Sequence, residues 1–359
     1  MNAARNRLKR KDEHLKLSGS GYGAAESWFE YVRLVHQAVN EISLEEIDIK
    51  SQISGLSLES LLIIDAITGG SPNALFLNRK LAQMAATLHL AISVGSQSIM
   101  FDFPDDNAIT QSFKVIRKEN PRGIVIANMS AQASLEKATK AIELLDADCI
   151  QLHLNPAQEL FMTEGDRDFT CVVDNIKKIA DSCSVPVIVK ETGCGFSKET
   201  ANQLFQETGV SCFNISGSGG SNFIAIENVR SGEIKQDIFS EWGIPTAASL
   251  MEMRQLRFKK TIIASGGIDT PLKAVKSLAM GANAVACAGW ILKLINDFEI
   301  EHAIAKLSCF IEDISKLMLL AGAGDIASLQ QQPFILMGPL KEWADQRKND
   351  KGGYIPNEN

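Results

Sequence analysis

Short apolar segments rich in Ile, Val, Leu and Ala recur along the chain, and a small or polar cluster follows each of them. We predict eight β-strands from this pattern: Leu61–Ile67, Leu90–Val94, Ile124–Asn128, Cys149–Asn155, Pro186–Glu191, Cys212–Ser216, Thr261–Ser265 and Ala284–Ala288. Segments that are apolar throughout, without strict alternation, are typical of parallel strands buried on both faces of a sheet. Stretches with helical periodicity intervene, which indicates repeated strand–helix units.

Helices are predicted between the strands and on both sides of the strand array. The intervening helices are Ser134–Leu145, Phe169–Asp181, Ser197–Thr208, Thr246–Arg257 and Thr270–Met280. Several of them begin on Ser or Thr, which are preferred N-cap residues. An amphipathic helix around Trp28–Val39 precedes the first strand, and a long helix from Glu299 to Leu320 follows the last.

The number of units favours one closed barrel. Eight strand–helix units within about 230 residues match the size of a (β/α)8 barrel better than two doubly wound domains. No linker and no shift in composition divides the chain. We therefore predict one domain over residues 1–359, with a polar N-terminal arm at 1–25 and a C-terminal helical extension and frayed tail at 299–359.

Composition and charge narrow the function classes. The chain is 45% hydrophobic with 26 glycines, as in a well-packed globular protein, and its net charge of −7 argues against a nucleic-acid partner. Its seven cysteines form neither a C-x-x-C pair nor a metal-ligand spacing, so we interpret them as small buried hydrophobes. No apolar run resembles a signal peptide or a membrane span, so we expect a soluble, cytoplasmic protein without a membrane partner.

The predicted strands end in small and polar residues, and functional groups of a barrel gather at that end. The clusters are Thr68-Gly69-Gly70, Gly95-Ser96-Gln97, Asn128-Met129-Ser130, His153-Leu154-Asn155, Lys190-Glu191-Thr192-Gly193, Ser216-Gly217-Ser218-Gly219-Gly220, Ser265-Gly266-Gly267 and Ala288-Gly289. Turn preferences explain any single cluster, but eight together favour a functional face. After the last three strands, small residues allow backbone N–H groups to approach a ligand, so we predict a phosphate at Gly219-Gly220-Ser221, Gly266-Gly267-Ile268 and Ala288-Gly289.

The fourth predicted strand carries three polar side chains on one face. Gln151, His153 and Asn155 share that face because side chains alternate along a strand, which indicates a polar pocket there. A lone His is more often a hydrogen-bonded structural residue. Glu159, just after this strand, is either a Mg²⁺ ligand or a carboxylate at a helix N-terminus.

Lys190 in the fifth predicted strand is expected to point into the barrel, where a buried ammonium needs an anion. The residue pattern leaves two roles open, a Schiff-base lysine or a cation beside a reduced flavin. The charged arm segment Lys9–His14 is also open to two interpretations, a solvated tail or a lid over an anionic substrate.

Several of these motifs together resemble type 2 isopentenyl diphosphate isomerase, and the resemblance covers nearly the whole chain. They are Arg10-Lys11 with His14, Thr68-Gly69-Gly70, Gly95-Ser96-Gln97, His153-Leu154-Asn155-Pro156-Ala157-Gln158-Glu159, Glu164-Gly165-Asp166-Arg167, Val189-Lys190-Glu191 and Ser265-Gly266-Gly267. The combination of the motif from His153 to Glu159 with Glu164-Gly165-Asp166-Arg167 and Val189-Lys190-Glu191 is highly specific, whereas the glycine motifs alone would fit any flavin barrel.

This resemblance implies an FMN-dependent barrel of isoprenoid biosynthesis, a homotetramer or homo-octamer, that interconverts isopentenyl and dimethylallyl diphosphate. It also implies Mg²⁺ and a flavin reduced by NADPH, with flavin N5 as acid and base and with Gln158 and Lys190 positioning the reactants. The implied substrate contacts are Arg10, Lys11, His14, Ser96, Gln97, Ser98, His153, Asn155 and Gln158, and the implied Mg²⁺ ligand is Glu159. The implied FMN contacts are Ala66, Ile67, Thr68, Ser96, Asn128, Lys190, Ser216, Ser221, Gly266, Gly267, Ile268, Ala288 and Gly289.

Three positions depart from the commoner family pattern. Ala66-Ile67 stands where many relatives have Met beside the Thr, Ser98 where many have a diphosphate-binding Arg, and Ser221 where Thr is usual. The last change keeps the hydroxyl. The loss of a cation at position 98 shifts the diphosphate charge onto other cations, such as those of the arm.

Two other functions fit parts of the sequence. An FMN barrel oxidoreductase acting on a 2-hydroxy acid usually needs a His–Arg pair at a strand end, and we find no such pair here. A catalytically idle phosphate-binding barrel that serves as a scaffold would take up no FMN.

Overall fold

In a computed structural model, which describes residues 11, 13, 17, 26–163, 165–231 and 237–348, parallel strands close into a barrel. The strands in chain order are β1 (Val32–Leu34), β2 (Ser51–Ile53), β3 (Leu56–Leu58), β4 (Leu62–Ile64), β5 (Ala91–Ser93), β6 (Val125–Ser130), β7 (Cys149–Leu154), β8 (Val187–Glu191), β9 (Cys212–Asn214), β10 (Thr261–Ser265), β11 (Ala284–Cys287) and β12 (Phe334–Leu336). Strands β4 to β11 follow one another around the barrel, and β11 pairs with β4 to close it. The predicted (β/α)8 fold is confirmed.

Helices follow the barrel strands and extend the chain at its C-terminal end. They are Pro72–Leu88, Asn107–Glu119, Leu135–Leu145, Pro156–Phe161, Val172–Ser182, Lys198–Thr208, Phe223–Ser231, Thr246–Arg254, Pro271–Ala279, Gly289–Asp297, Ile300–Leu320, Ile326–Leu329 and Gly338–Gln346. The side chains of Ser134, Ser197 and Thr270 accept hydrogen bonds from backbone N–H groups of the first turn, as the N-cap prediction requires.

The interior of the barrel changes from apolar to polar along its axis. The lower layers hold Ile63, Ala91, Ile126, Cys149, Ile188, Cys212, Ile263, Ala284 and Ala286. The hairpin of β2 and β3 packs Ile53 and Leu58 against this cluster. The upper layer holds the buried polar side chains Asp65, Ser93, Asn128, Gln151, Lys190, Asn214 and Ser265. Polar residues therefore reach deeper into the barrel than the strand ends that the sequence indicated.

The segment that leads into the barrel differs from its prediction. Residues Trp28–Val39 do not form an amphipathic helix, because a 3₁₀ turn at Phe29–Tyr31 is followed by β1, which pairs antiparallel with β12. Trp28 itself has a left-handed backbone with φ of 63°, which an α-helix does not accommodate. The predicted C-terminal helix is present as Ile300–Leu320, but the predicted helical extension also contains the strand β12.

The cysteines are less uniformly buried than predicted. They are buried (Cys149, Cys212, Cys287), partly buried (Cys183, Cys194) or exposed (Cys171, Cys309). The buried ones lie on barrel strands, whereas Cys309 lies on the long outer helix Ile300–Leu320. Within the described ranges, no helix combines the length and apolarity needed to cross a membrane. The predicted frayed tail beyond residue 348 lies outside the described residues, as does most of the arm.

Candidate active site

A cavity of about 570 Å³ opens at the carboxyl ends of the barrel strands, and the ends of all eight strands contribute to its wall. Small-molecule sites span roughly 300–1,000 Å³. Most of the predicted site residues line it: Lys11, Ala66, Ile67, Thr68, Ser96, Ser98, Asn128, His153, Asn155, Gln158, Glu159, Lys190, Ser216, Ser221, Gly266, Gly267, Ile268, Ala288 and Gly289. Predicted contacts at Arg10 and His14, and the motif residue Glu164, lie outside the described residues.

Gln97 is placed behind the cavity wall, although the resemblance implied a substrate contact there. Its side chain is fully buried, and its Nε2 donates to the carbonyl oxygen of Ala141 at 3.0 Å. Its Oε1 accepts from the backbone N–H of Asn128 at 3.0 Å. Both polar ends of Gln97 are thus used inside the protein, one on the helix Leu135–Leu145 and one on β6, so in this structure it braces the wall.

Two glycine-rich loops meet on one side of the cavity, after β9 and β10. Gly266 and Gly267 have left-handed φ angles of 98° and 72°, which favour glycine. A Cβ on Gly267 would lie 2.5 Å from the carbonyl carbon of Gly219, and a Cβ on Gly220 would lie 2.9 Å from the Gly267 nitrogen. The loops approach this closely only because neither carries a side chain.

The backbone N–H groups of these loops form a place for an anion. Among the described residues, no hydrogen-bond acceptor is found for the N–H groups of Gly219, Gly220, Gly266 and Gly267. Unpaired N–H groups in a cavity wall are costly unless a ligand accepts from them. These loops therefore have the properties that a phosphate-binding site requires.

A helix N-terminus completes this side of the cavity. The helix Gly289–Asp297 starts after Ala288, which offers no side-chain oxygen to its first N–H groups. Its positive end is therefore available to an anion. Lys293 on the same helix also lines the cavity and adds a cation that the sequence analysis did not identify.

Ser216 adopts a strained backbone where β9 meets the cavity. Its φ is 35°, which is unusual for a residue other than glycine. Its N–H donates to Ser265 Oγ at 3.1 Å, and its carbonyl oxygen accepts from Gly193 and Gly195 at 2.9 and 3.1 Å. Three hydrogen bonds thus hold Ser216 at the cavity wall in a conformation that it would not adopt alone.

His153 is a neutral side chain with one defined tautomer. Its Nδ1 lies 2.9 Å from Asn128 Oδ1, while Asn128 Nδ2 donates to the carbonyl oxygen of Val94 at 3.0 Å. Because the Asn128 amide is oriented by that carbonyl, His153 Nδ1 carries the proton and Nε2 is left as an acceptor. Burial, and then the charges of Lys190 and Lys11, lowers the pKa of His153 to about 4.

The end of β7 and the short helix Pro156–Phe161 bring amides and a carboxylate together. Asn155 Nδ2 donates to Glu159 Oε1 at 2.8 Å and to Gln158 Oε1 at 3.3 Å. The backbone N–H of Asp166 donates to Glu159 Oε2 at 2.9 Å. Each Glu159 oxygen keeps acceptor capacity toward the cavity, since a carboxylate oxygen can accept two hydrogen bonds or ligate a metal.

Among the arm residues that the structure describes, Lys11 is the cationic one. Its position favours the interpretation of the arm as a lid over that of a solvated tail. Its ammonium donates to the carbonyl oxygens of Gly69 at 2.7 Å and Ser96 at 2.8 Å, at the ends of β4 and β5. Glu13, two residues on, lies 2.9 Å from Arg230 of the helix Phe223–Ser231. The described part of the arm therefore contacts the rim of the cavity.

An ion pair crosses the barrel beneath the cavity. Lys190 Nζ lies 2.9 Å from Asp65 Oδ2, and the two side chains are 8% and 4% exposed. Lys190 points inward as predicted, but in this structure its anion is a carboxylate of the chain. Asp65 was missed because it follows directly on the apolar run of β4, and no local pattern shows which strand its side chain meets.

No group of three or more His, Cys, Asp and Glu side chains in the described part of the chain is arranged to hold a metal ion. This is compatible with Mg²⁺, which commonly binds one or two carboxylates and completes its shell with water and substrate phosphate. Glu159 and the neighbouring Asp166 both line the cavity and supply that type of donor.

Comparisons with known proteins agree on the family. A family model described as FMN-dependent dehydrogenase matches residues 30–335. An isopentenyl-diphosphate delta-isomerase of Limosilactobacillus reuteri subsp. reuteri (strain JCM 1112) is 42% identical over 343 residues, which is 94% of this chain and 97% of the relative. An enzyme of the same name from Geobacillus sp. (strain WCH70) is 39% identical over 350 residues, 97% and 99% of the two chains.

Solved structures of low sequence identity share the fold. A flavocytochrome b2 variant with pyruvate bound has a TM-score of 0.69 at 14% identity, covering 96% of this chain and 86% of that one. A Pediococcus acidilactici protein described as a "(Putative)lactate oxidase" has a TM-score of 0.65 at 14% identity, covering 93% and 94% of the two chains. The chain therefore belongs to the FMN-dependent dehydrogenase family and, within it, groups with the isopentenyl-diphosphate delta-isomerases.

Proposed function

We propose that this protein interconverts isopentenyl and dimethylallyl diphosphate, as a type 2 enzyme that uses reduced FMN and Mg²⁺. The observation that carries the proposal is that one cavity joins two anion sites. Unpaired backbone N–H groups lie at the ends of β9 to β11, and Lys11, Glu159 and polar amides lie at the ends of β4, β5 and β7. A phosphate-bearing cofactor and a diphosphate substrate would thus occupy opposite sides of the same cavity.

The chain's residues fit FMN on the side of β9 to β11. The loops at Gly219-Gly220 and Gly266-Gly267 and the start of the helix Gly289–Asp297 would hold its phosphate. Lys190 would face its ring from the floor of the cavity. When bound and reduced, FMN would supply the acid and the base at its N5 edge.

The residues near β7 fit a diphosphate and its metal. Lys11 would offer a positive charge, and Asn155 would orient Glu159 toward Mg²⁺. His153 Nε2 is unprotonated in the structure, so it would accept a hydrogen bond or take up a proton when the anion arrives. Gln158 lines the cavity beside Asn155 and would position the reacting hydrocarbon chain.

The role of Ser98 follows from its contacts. Its hydroxyl accepts a hydrogen bond from Ser96 Oγ at 3.2 Å, and both side chains line the cavity. A pair of hydroxyls would offer neutral donors to the diphosphate where many relatives place an arginine. Lys11, which donates to the Ser96 carbonyl, would then supply the charge at this position.

The test is an anaerobic incubation with isopentenyl diphosphate in which FMN, NADPH and Mg²⁺ are each left out in turn. We expect dimethylallyl diphosphate only when all three are present. Absence of product from the complete mixture, with FMN bound and reduced, would refute the proposal. NADPH as reductant, a homotetramer or homo-octamer, and a cytoplasmic location form part of this proposal and are supported by the family resemblance.

A second function, oxidation of a 2-hydroxy acid, is favoured only by the fold shared with lactate oxidase and flavocytochrome b2. Enzymes of that type usually use an arginine for the substrate carboxylate. In the described wall of the cavity, the cationic side chains are Lys11, Lys190 and Lys293, and no arginine is present. Reduction of the flavin by a 2-hydroxy acid would be the sign of this function.

A further inference from the structure

We propose that Asp65 is a positioning residue that cancels the charge of Lys190 under the flavin and so limits the site's preference for reduced over oxidised FMN. The proposal rests on the FMN placement proposed above. Its basis is the ion pair between β4 and β8, which lie opposite each other in the ring of eight strands. The pair therefore spans the barrel and forms part of the cavity floor, since both residues line the cavity.

The carboxylate of Asp65 is held firmly in this position. Besides Lys190, the backbone N–H of Ala66 donates to Oδ1 at 2.8 Å. Asn214 Nδ2 lies 3.3 Å from Oδ1 and 3.2 Å from Oδ2, and the same group lies 3.1 Å from Gln151 Oε1. Donors on β8, on β9 and just after β4 thus fix the carboxylate, and through it they fix the position of the Lys190 ammonium.

The charge of Asp65 is expected to act over the cavity floor because water is largely excluded there. Coulomb interactions are several-fold stronger at a partly buried site than in water. A lone ammonium would stabilise the additional negative charge of a reduced flavin more than it stabilises the oxidised form. The ion pair of the Lys190 ammonium and the Asp65 carboxylate, 2.9 Å apart, has no net charge. Much of the preference for reduced over oxidised flavin is therefore removed.

The test compares the binding of oxidised and reduced FMN to the full-length protein and to Asp65→Asn. The amide introduced by this substitution would keep an acceptor for Lys190 while losing the charge. We expect the preference for reduced FMN to rise by about tenfold or more, which raises the two-electron potential of bound FMN by about 30 mV. The potential is measured by equilibration with a redox dye, and FMN affinity by fluorescence.

Asp269→Asn is the matched control. Asp269 also lines the cavity and also pairs with a lysine, Lys273, at 2.7 Å, but its side chain is 50% exposed. Because solvent screens such a charge, we expect Asp269→Asn to change the preference for reduced over oxidised FMN by no more than about threefold. A shift in Asp65→Asn no larger than in Asp269→Asn would overturn the proposal.

Lys190→Met and the double variant Asp65→Asn/Lys190→Met extend the test. Lys190→Met should lower the preference for reduced FMN below that of the natural protein, and the double variant should return it toward that value. If Asp65→Asn does not fold, the preference of the double variant for reduced FMN must still exceed that of Lys190→Met by about tenfold. Equal preferences in these two variants would overturn the proposal. Failure of the natural protein to bind FMN would instead refute the proposed function.

Discussion

Substitution of Gly267 by Ala tests the proposed phosphate site by adding a single methyl group to one of its loops. The added Cβ would lie 2.5 Å from the carbonyl carbon of Gly219, whereas ordinary van der Waals contacts begin at 3.4 Å. The Gly219 carbonyl oxygen would lie closer still, so the two loops would have to separate by more than about 0.9 Å to relieve the overlap. The nearest atoms belong to the backbone, so no flexible side chain can move aside.

The expected loss of FMN affinity follows from the hydrogen bonds that this separation would disrupt. A charge-assisted hydrogen bond from an N–H group contributes about 1.5–3 kcal/mol. Loss of two such bonds from the pair of loops weakens FMN binding by about 100-fold or more. The substitution should also destabilise the protein by about 1–2 kcal/mol, because alanine is unfavourable in a left-handed conformation.

Gly209→Ala is the control for that second effect. Gly209 has the same φ of 72°, no atom lies within 4 Å of the position that a Cβ would take, and it ends the helix Lys198–Thr208 ahead of β9. Both variants should therefore show the cost of the left-handed backbone in thermal unfolding without FMN, and Gly267→Ala should add the cost of separating the two loops. Only Gly267→Ala should lose FMN affinity in a fluorescence titration. Equal FMN affinities for the two variants would refute the placement of the phosphate.

Three further predictions concern other parts of the site. Glu159→Gln should raise the Mg²⁺ concentration needed for half-maximal activity by about tenfold or more without changing the flavin spectrum, and loss of flavin would contradict the assignment. Lys11→Met should raise the substrate KM by about tenfold with unchanged FMN affinity, and an unchanged KM would remove Lys11 from the diphosphate site. Burial raises the pKa of Glu191 to about 7, although the hydrogen bond from the Cys194 N–H opposes this rise. The protonated Glu191 side chain therefore stabilises the folded protein fully below about pH 4.5, and this contribution is lost as pH rises through 7. In urea unfolding, the free energy of unfolding of the natural protein should fall by up to about 3 kcal/mol more than that of Glu191→Gln between about pH 4.5 and 7. Parallel pH profiles for the two proteins would contradict this prediction.

The sequence predicts the barrel well because each strand carries its own evidence. A run such as Ile124–Asn128 is apolar, short and followed by polar residues, and burial in a parallel sheet requires only that local pattern. The glycine loops after β9 and β10 are likewise recognisable, because their spacing and composition are local. The long helix Ile300–Leu320 has a helical period over five turns and could be predicted for the same reason.

The features that the sequence did not reveal depend on partners far away along the chain. β1 pairs with β12 from near the other end of the chain, so a strand of three residues was mistaken for part of a helix. Asp65 meets Lys190 across the barrel, and Gln97 turns to Ala141 and away from the cavity. Local periodicity fixes which face of a strand a side chain occupies, but it does not identify the residues that this side chain meets.

The most direct test of the proposed function is to follow product formation and flavin absorbance together in one anaerobic sample of enzyme with reduced FMN and Mg²⁺. We expect dimethylallyl diphosphate to accumulate over many turnovers while the flavin remains reduced. Flavin oxidation in proportion to product, or no product from the fully reduced and loaded enzyme, would contradict it.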